Sequence, residues 1–233
     1  MRAVQSACLI VLSLLVAASS WAGQPLVTDD AAIVAAKACQ LEAWLRPTHN
    51  GNGYWAQPAC NFVDNLELSI AAARSQGDSD EAASVVQLQA KTALSSRIED
   101  TWSLGVSAGS MRDTGASHGS SAFQLYYAKA LASWYPNRDL EIDFNLGGAN
   151  LYGSGTFALA GAAIQYAIVR NAQVLAEVFH DEPGRTKYQL GARYVVIRNR
   201  FETYVSYGNR FNGPSSQSWA VIGIRVQTPP FLH

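Results

Sequence analysis

The fold class of this chain is decided by residues 140–146, LEIDFNL. Apolar and polar side chains alternate there without exception, which is the period-two pattern of a β-strand with one apolar and one polar face. The same alternation runs through residues 86–91, 102–109, 188–196 and 201–207. Gly, Ser and charged residues fill the second face, so that face cannot form a dense dry core. We therefore expect the apolar face to meet lipid and the polar face to line a wet interior.

The connections between the apolar runs alternate in length along the chain. Every second connection is a short polar turn, at residues 64–65, 136–138, 170–171 and 198–199. The intervening connections are longer and rich in Gly, Ser and Asn, at residues 47–53, 74–83, 110–120, 151–155, 181–185 and 209–217. Short periplasmic turns and longer extracellular loops are typical of barrels that span an outer membrane.

Segments of about 9–11 residues, the length of a tilted membrane strand, can be counted between these connections. There are twelve, centred on Leu41, Pro58, Leu68, Gln89, Leu104, Ala128, Phe144, Ala162, Ala176, Gly191, Val205 and Ile222. An even count brings both termini to the side of the short turns. Residues 123–135 and 156–168 are apolar or small on both faces, so counts of ten and fourteen stay open. The fold class is thus all-β, an antiparallel up-and-down transmembrane β-barrel of about twelve strands.

Two features of these strands lead to further expectations. Pro58 interrupts the second strand and predicts a bulge or a weakly paired position there. Aromatic residues near the strand ends are candidates for interfacial girdles, with packing wherever space allows as the alternative. These aromatics are Trp44, Trp55, Trp102, Trp134, Tyr135, Tyr166 and Trp219.

Residues 1–22 are predicted to be a secretory signal peptide. Arg2 gives a positive start, residues 7–18 are apolar, and Ser20-Trp21-Ala22 fits a small-x-small cleavage site. After residue 22 no apolar run approaches the roughly 20 residues of a spanning helix. An exported barrel is expected in the bacterial outer membrane, with its strands in contact with membrane lipid.

The domain organisation that follows is a signal peptide, a lead segment of residues 23–37, and a barrel of residues 38–233. Thr28-Asp29-Asp30 would cap a helix, and residues 31–38 are rich in alanine. Three placements of the lead segment stay open at this point. It can be a short helix, an ordered piece on the periplasmic side, or a segment tucked into the lumen.

The charge balance excludes one class of partner. The chain has 17 Lys and Arg against 18 Asp and Glu, and loss of Arg2 with the signal peptide leaves 16 against 18. A slightly acidic chain without a basic patch gives no reason to expect nucleic acid as a partner.

Two cysteines remain once the signal peptide is removed. Cys39 and Cys60 flank a predicted hairpin whose tip lies near His49, so the two would face each other on neighbouring strands. An exported chain enters an oxidising compartment, where such a pair is expected to close as a disulfide.

The polar faces of the predicted strands define the candidate lumen-lining residues. Carboxylates outnumber cations among them, so an open passage would modestly prefer cations or neutral polar solutes. The alternative is that these charges pair across the lumen and close it, and both readings stay open. The residues are Glu67, Gln87, Gln89, Lys91, Glu141, Asp143, Glu177, Arg193 and Glu202.

Residues 25–31, PLVTDDA, resemble the start of mature chains in the outer-membrane family named after the meta-pathway of phenol degradation. The end of the chain at residues 224–230, IRVQTPP, is similar to that family as well. The resemblance implies a small outer-membrane barrel that passes or binds small compounds, often aromatic ones. It implies no catalytic residues.

An enzymatic alternative rests on His118-Gly119-Ser120. In outer-membrane lipid hydrolases a His-x-Ser pair on the barrel wall lets the histidine take the serine proton while a third group orients the histidine. That group is an Asn or Glu about twelve residues after the serine, where this chain has Ala132.

The sequence therefore predicts passive passage or binding of small solutes through a narrow polar lumen. Aromatic compounds are one candidate class of solute, and no catalytic residue, cofactor or metal site is expected. A lipid hydrolase using His118 and Ser120 is the runner-up, and a closed structural barrel is the third hypothesis. The sequence leaves the oligomeric state open.

Overall fold

The computed structural model describes residues 26–49, 51–77, 83–95, 101–114 and 124–232, and this part of the chain forms twelve β-strands. The predicted signal peptide and the pair His118 and Ser120 lie outside the described residues. The strands are β1 (Cys39–Thr48), β2 (Gly51–Asn61), β3 (Glu67–Gly77), β4 (Ala83–Ala93), β5 (Trp102–Asp113), β6 (Leu125–Trp134), β7 (Leu140–Leu151), β8 (Gly155–Val169), β9 (Ala172–Glu182), β10 (Arg185–Ile197), β11 (Phe201–Arg210) and β12 (Trp219–Gln227).

The strands close into one barrel in chain order. Each strand pairs antiparallel with its neighbours in sequence, and β1 pairs with β12 to close the ring. Each of the twelve predicted centres lies in a different strand, so the predicted fold class is confirmed. A 3-10 turn at Ser215–Gln217 precedes β12. Among the described residues, no helix is both long and apolar enough to cross a bilayer.

The predicted orientation of the two strand faces is confirmed. In β7 the side chains of Phe144 and Leu146 are exposed on the outside, whereas Asn145 between them and Asp143 before them are buried. In β5 Leu104 is likewise exposed and Ser103 is buried. An apolar outer surface of this size is stable in contact with lipid, whereas in water a large apolar area would stay exposed to solvent.

The strands extend further than the sequence pattern predicted, so several loops are shorter. Residues 47–53 were expected as a loop, but β1 and β2 leave only residues 49–50 between them. The predicted loop at 181–185 is reduced in the same way to residues 183–184. In the first hairpin Pro47, Gly51 and Asn52 keep strand pairing because the long hairpin continues beyond the apolar belt, where polar composition no longer marks a strand end.

The two ends of the barrel differ in what they carry. We call the end with both termini of the barrel the turn end, and its connections are residues 62–66, 94–101, 135–139, 170–171 and 198–200. We call the opposite end the loop end, and its connections are residues 49–50, 78–82, 114–124, 152–154, 183–184 and 211–218. By the general rule for bacterial barrels, the turn end is periplasmic.

The expectation for Pro58 is confirmed. The register between β2 and β3 places Ala56 opposite Ala72 and Ala59 opposite Ser69, and the ladder is interrupted at Gln57 and Pro58 between them.

The girdle expectation is right for some aromatics and wrong for others. Trp102, Trp134 and Tyr166 are exposed on the outer surface near the turn end. Trp44, Tyr135 and Trp219 are buried, so they are not girdle residues. Strand parity decides the difference, since aromatics of equal size face lipid or the interior according to their position. Exposed aromatics at the loop end include Tyr54, Tyr126, Tyr207 and Phe211.

The predicted disulfide is present and joins the first hairpin at the turn end. Cys39 lies directly opposite Cys60 in the register of β1 and β2, and their sulfur atoms are bonded across a sequence separation of 21.

Replacing both residues, Cys39→Ser with Cys60→Ser, is expected to lower the free energy of unfolding by about 3 kcal/mol, since the unfolded chain regains the entropy of an open loop. Urea unfolding of the barrel in lipid vesicles measures this. An unchanged midpoint relative to the oxidised wild type would contradict the expectation.

Candidate functional site

The described part of the lead segment, residues 26–37, runs through the interior of the barrel. Leu26, Asp30, Ala31 and Val34 are almost completely buried. The segment bonds to side chains from β3, β4, β6, β7 and β9. Contacts to so many sides of a closed ring place the segment inside the ring. Of the three placements that the sequence left open, the structure therefore shows the one in the lumen.

The upper part of the lead segment is held by two side chains of the barrel wall. The backbone N–H groups of Val27 and Thr28 each donate to the carboxylate of Glu177, at 2.9 Å from its Oε1 and Oε2 respectively. Asp29 exchanges two hydrogen bonds with Asn145, since its N–H donates to Oδ1 at 2.9 Å and its carbonyl accepts from Nδ2 at 2.7 Å. These bonds take the place of the ladder partners that an isolated extended segment lacks.

The lower part is held in the same manner. The N–H of Ala31 donates to Oγ of Ser133 and the N–H of Val34 donates to Oε2 of Glu67, both at 2.8 Å. Asn61 donates from Nδ2 to the carbonyl of Val34, also at 2.8 Å. Asn61 follows Cys60 directly in the sequence, so the lead segment leaves the barrel beside the disulfide.

Two ion pairs fix the acidic residues of the lead segment. Nζ of Lys91 lies 2.9 Å from Oδ1 of Asp30, and both side chains are almost fully buried. Lys129 forms the second pair with Asp29. Burial by itself would raise the pKa of Asp29, but Lys129 and Lys91 outweigh it and hold that pKa below its usual value. Asp29 therefore carries its charge at neutral pH.

The barrel wall also leaves room for the lead segment. A Cβ atom built at Gly161 of β8 would lie 2.5 Å from Oγ1 of Thr28. Any larger residue at this position would displace the segment, so Gly161 contributes to its seating through its lack of a side chain.

A polar network crosses the lower half of the barrel behind the lead segment. Glu202 forms an ion pair with Arg225. Oε2 of Glu202 also lies 3.8 Å from Nε of Arg193. Arg193 donates from a terminal nitrogen to Oε1 of Gln165 at 3.2 Å. Gln165 and Ser133 both donate to the carboxylate of Asp143, at 2.8 Å and 2.5 Å. Ser133 also accepts from Ala31, so the network ends on the lead segment.

The predicted lumen residues fall into three groups in this arrangement. Glu67, Lys91 and Glu177 hold the lead segment directly. Asp143, Arg193 and Glu202 belong to the polar network, and Glu141 is buried at the same side of its strand. Gln87 and Gln89 lie higher and both bond to the hydroxyl of Tyr127.

Sequence reasoning missed several members of the site. Those in β6 and β8 belong to strands with small residues on both faces, whereas those in β7 and β12 have inward positions that strand parity could have identified. The missed residues are Lys129, Ser133, Asn145, Gln165 and Arg225.

Above the lead segment the barrel contains a cavity of about 380 Å³. Residues 26–29 form its floor, and its walls come from inward side chains in the half of the barrel nearer the loop end. Trp44 and Trp55 stack with ring centroids 5.4 Å apart, and Phe179 meets Trp219 edge-on at 6.3 Å. Polar wall residues of the same cavity are Arg46, Gln57, Gln87, Gln89, Lys129, Asn145, His180, Asp181 and Gln189.

The aromatic walls are themselves fixed. The guanidinium carbon of Arg46 lies 4.8 Å from the centre of the Trp219 ring, a cation–π contact. Nε1 of Trp219 donates to Oε1 of Gln189 at 2.7 Å. A cavity with rigid aromatic surfaces and a few directed polar groups has the composition of a small-molecule site.

A family model described as Uncharacterised conserved protein UCP029691 matches residues 10–228. The chain belongs to that family. The match covers the whole lead segment and all twelve strands, so the plugged barrel described above is the structure of this member of the family. No curated protein matches the chain at a significant level.

Solved structures of outer-membrane barrels share the fold at low sequence identity. The KdgM porin in complex with disordered oligogalacturonate is 11% identical, with a TM-score of 0.63 over 80% of this chain and 98% of that chain. The COG4313 outer membrane channel from Pseudomonas putida F1 is 12% identical, with a TM-score of 0.60 over 88% and 100%. The NanC porin is 13% identical, with a TM-score of 0.55 over 82% and 99%. The protein thus has the fold of outer-membrane porins and channels.

Proposed function

We propose that the protein is a bacterial outer-membrane barrel that binds small solutes in the cavity at its loop end and passes them when the lead segment moves aside. The observation that carries this proposal is the 380 Å³ cavity whose floor is the lead segment itself. A solute that enters from the loop end meets the residues 26–29 before it can go further.

The chemistry of the floor supports movement without loss of the barrel. The lead segment is bound by side chains of the wall and not by a strand ladder. Water can replace these hydrogen bonds one by one when the segment leaves. The nine predicted residues, from Glu67 to Glu202, would then line an aqueous path in which carboxylates outnumber cations.

The cavity walls support an aromatic solute in particular. Trp44, Trp55, Phe179 and Trp219 offer ring faces and edges, and aromatic contacts of this kind prefer aromatic ligands. The stretch that resembles the phenol meta-pathway family, residues 25–31, also contributes to this cavity. Val27, Thr28 and Asp29 of that stretch form the floor of the cavity.

Planar-bilayer recording of the folded mature protein tests the passage function. Discrete conductance steps, whose frequency rises when the lead segment is destabilised by Glu177→Gln, are the expected result. Silence from both proteins, each shown to be folded by its heat-modifiable mobility in gels, would overturn passage and leave only binding.

Replacement of the inner tryptophan pair tests the binding function. Trp44→Ala with Trp55→Ala is expected to weaken the binding of phenol, measured calorimetrically, by about tenfold or more, because each aromatic contact contributes about 0.5–1.5 kcal/mol beyond its buried area. The chain offers a matched control, since Trp102 and Trp134 form a second stacked pair on the outer surface, 5.8 Å apart. Equal losses from both pairs would show that the effect does not come from the cavity.

The lipid-hydrolase hypothesis gains no support from the described residues. Its test remains Ser120→Ala, which would abolish ester cleavage by a hydrolase while the barrel still folds.

A further inference from the structure

Two arginines stand on the lipid-facing side of the barrel at its loop end. Arg74 in β3 and Arg112 in β5 continue the outward series of their strands, and both are exposed. One strand, β4, lies between them. Arg74 is opposite Ser84 and Arg112 is opposite Val86, so two strand spacings and a two-residue offset separate their Cα atoms by about 12 Å. Guanidinium groups on side chains of this length can meet the same ligand.

The position of this pair along the barrel is that of the membrane surface. Ile70 lies four residues before Arg74 on the same outer face, and Leu88 lies on β4 between the two strands; both are exposed apolar residues. Tyr54 pairs directly with Arg74 in the register. An arginine beside an aromatic residue above an apolar belt lies at the level of lipid headgroups, where its charge is tolerated.

The rim carries another exposed arginine, Arg185 of β10, but that side chain is paired with Glu182. The outward residues at the same end of β7, β8 and β10 are the neutral Asn150, Thr156 and Thr186. Within the described strands the cation pair therefore marks one side of the barrel.

An apolar groove of about 510 Å³ lies on the outer face below the arginines. Its outward lining is formed by Ala90, Val106, Ala108, Ala128 and Ala130 of β4 to β6. Ala90, Ala108 and Ala128 lie side by side in the register. Arg112 follows Ala108 by four residues on the same face of β5, which places it about 13 Å further towards the loop end. A headgroup at the arginines would thus bring an acyl chain into the groove.

We propose that β3 to β6 form a binding site for a phosphorylated glycolipid of the outer leaflet, in which Arg74 and Arg112 bind the phosphate groups and the alanine groove receives an acyl chain. Arginine suits this task because its planar fork binds phosphate through two hydrogen bonds and its charge is weakly hydrated. The loop end faces outwards, so lipid of the outer leaflet is what these side chains meet. The proposal rests on the outer-membrane location of the barrel but not on solute passage.

Native mass spectrometry of the full mature protein with purified lipopolysaccharide of the deep-rough type tests this site. Arg74→Gln with Arg112→Gln is expected to reduce the bound fraction at least tenfold. Arg198→Gln removes an exposed arginine from the turn end and is the matched control, expected to leave binding unchanged. Ala108→Phe fills the groove without a change in charge and is expected to weaken binding as well.

Three results would overturn the proposal. The first is a double arginine variant that binds lipopolysaccharide as well as the wild type does. The second is a loss of binding in Arg198→Gln as large as the loss in the double arginine variant. The third is a wild-type protein that retains phosphatidylglycerol as well as it retains lipopolysaccharide. Phenol binding in the cavity should persist in the arginine variants, so failure of this lipid site is distinguishable from failure of the proposed solute binding.

Discussion

Deletion of residues 26–36 is expected to raise the single-channel conductance of the folded barrel several-fold. The deleted stretch forms the floor of the cavity and takes up the interior beneath it, between Glu177 on one wall and Glu67 on another. Its removal replaces a dry contact with water and leaves wall carboxylates free to attract cations. Planar-bilayer recording in symmetric salt measures the effect, and a reversal-potential shift in a salt gradient should report a cation preference.

A cross-linked variant provides the matched control for this deletion. The N–H of Ala31 lies 2.8 Å from Oγ of Ser133, so Ala31→Cys with Ser133→Cys brings two thiols within reach of a short bifunctional reagent. Cross-linking is expected to abolish the conductance steps, while wild type treated with the same reagent keeps them. A deletion variant that is folded yet conducts like the wild type would contradict the role of the lead segment as the barrier.

Glu202→Ala is expected to lower the free energy of unfolding by about 3–5 kcal/mol, the cost of leaving buried charges without their partner. Glu202 is the shared partner of Arg225 and Arg193, and both arginine side chains are almost completely buried. Urea unfolding in lipid vesicles measures the change, and the midpoint should fall while the slope with urea stays the same.

The rim of the barrel supplies the control for this loss. Glu182 pairs with Arg185 at 3.3 Å and also with Lys187, but the Glu182 side chain itself is substantially exposed. Its replacement by alanine should change the stability by less than about 1 kcal/mol, because exposed ion pairs are screened by water. The double variant Glu202→Ala with Arg225→Ala should lose less than the sum of the two single losses. Equal effects of Glu202→Ala and Glu182→Ala would show that the inner network is solvated.

The candidate site could be predicted from the sequence only in part. Alternation identified Glu67, Lys91 and Glu177 as inward residues, because strand parity fixes the face of each side chain. It did not identify their partners, since the backbone N–H groups of Val27, Thr28 and Val34 carry no sequence signal. Residues such as Lys129 and Ser133 lie in a strand with small residues on both faces. The two faces of that strand differ little in polarity, so the sequence does not show which one points inward.

What the sequence by itself determined is the all-β barrel of about twelve strands, the outward apolar face and the pairing of Cys39 with Cys60, while strand counts of ten and fourteen stayed open. These follow from local periodicity and from the spacing of turns, which depend on near neighbours along the chain. Only the tertiary structure decided that the lead segment lies in the lumen and that the predicted lumen charges are bound to it and to one another. The physical reason is closure of the ring, which brings strands as distant in sequence as β3 and β9 around one segment and makes their carboxylates its hydrogen-bond acceptors.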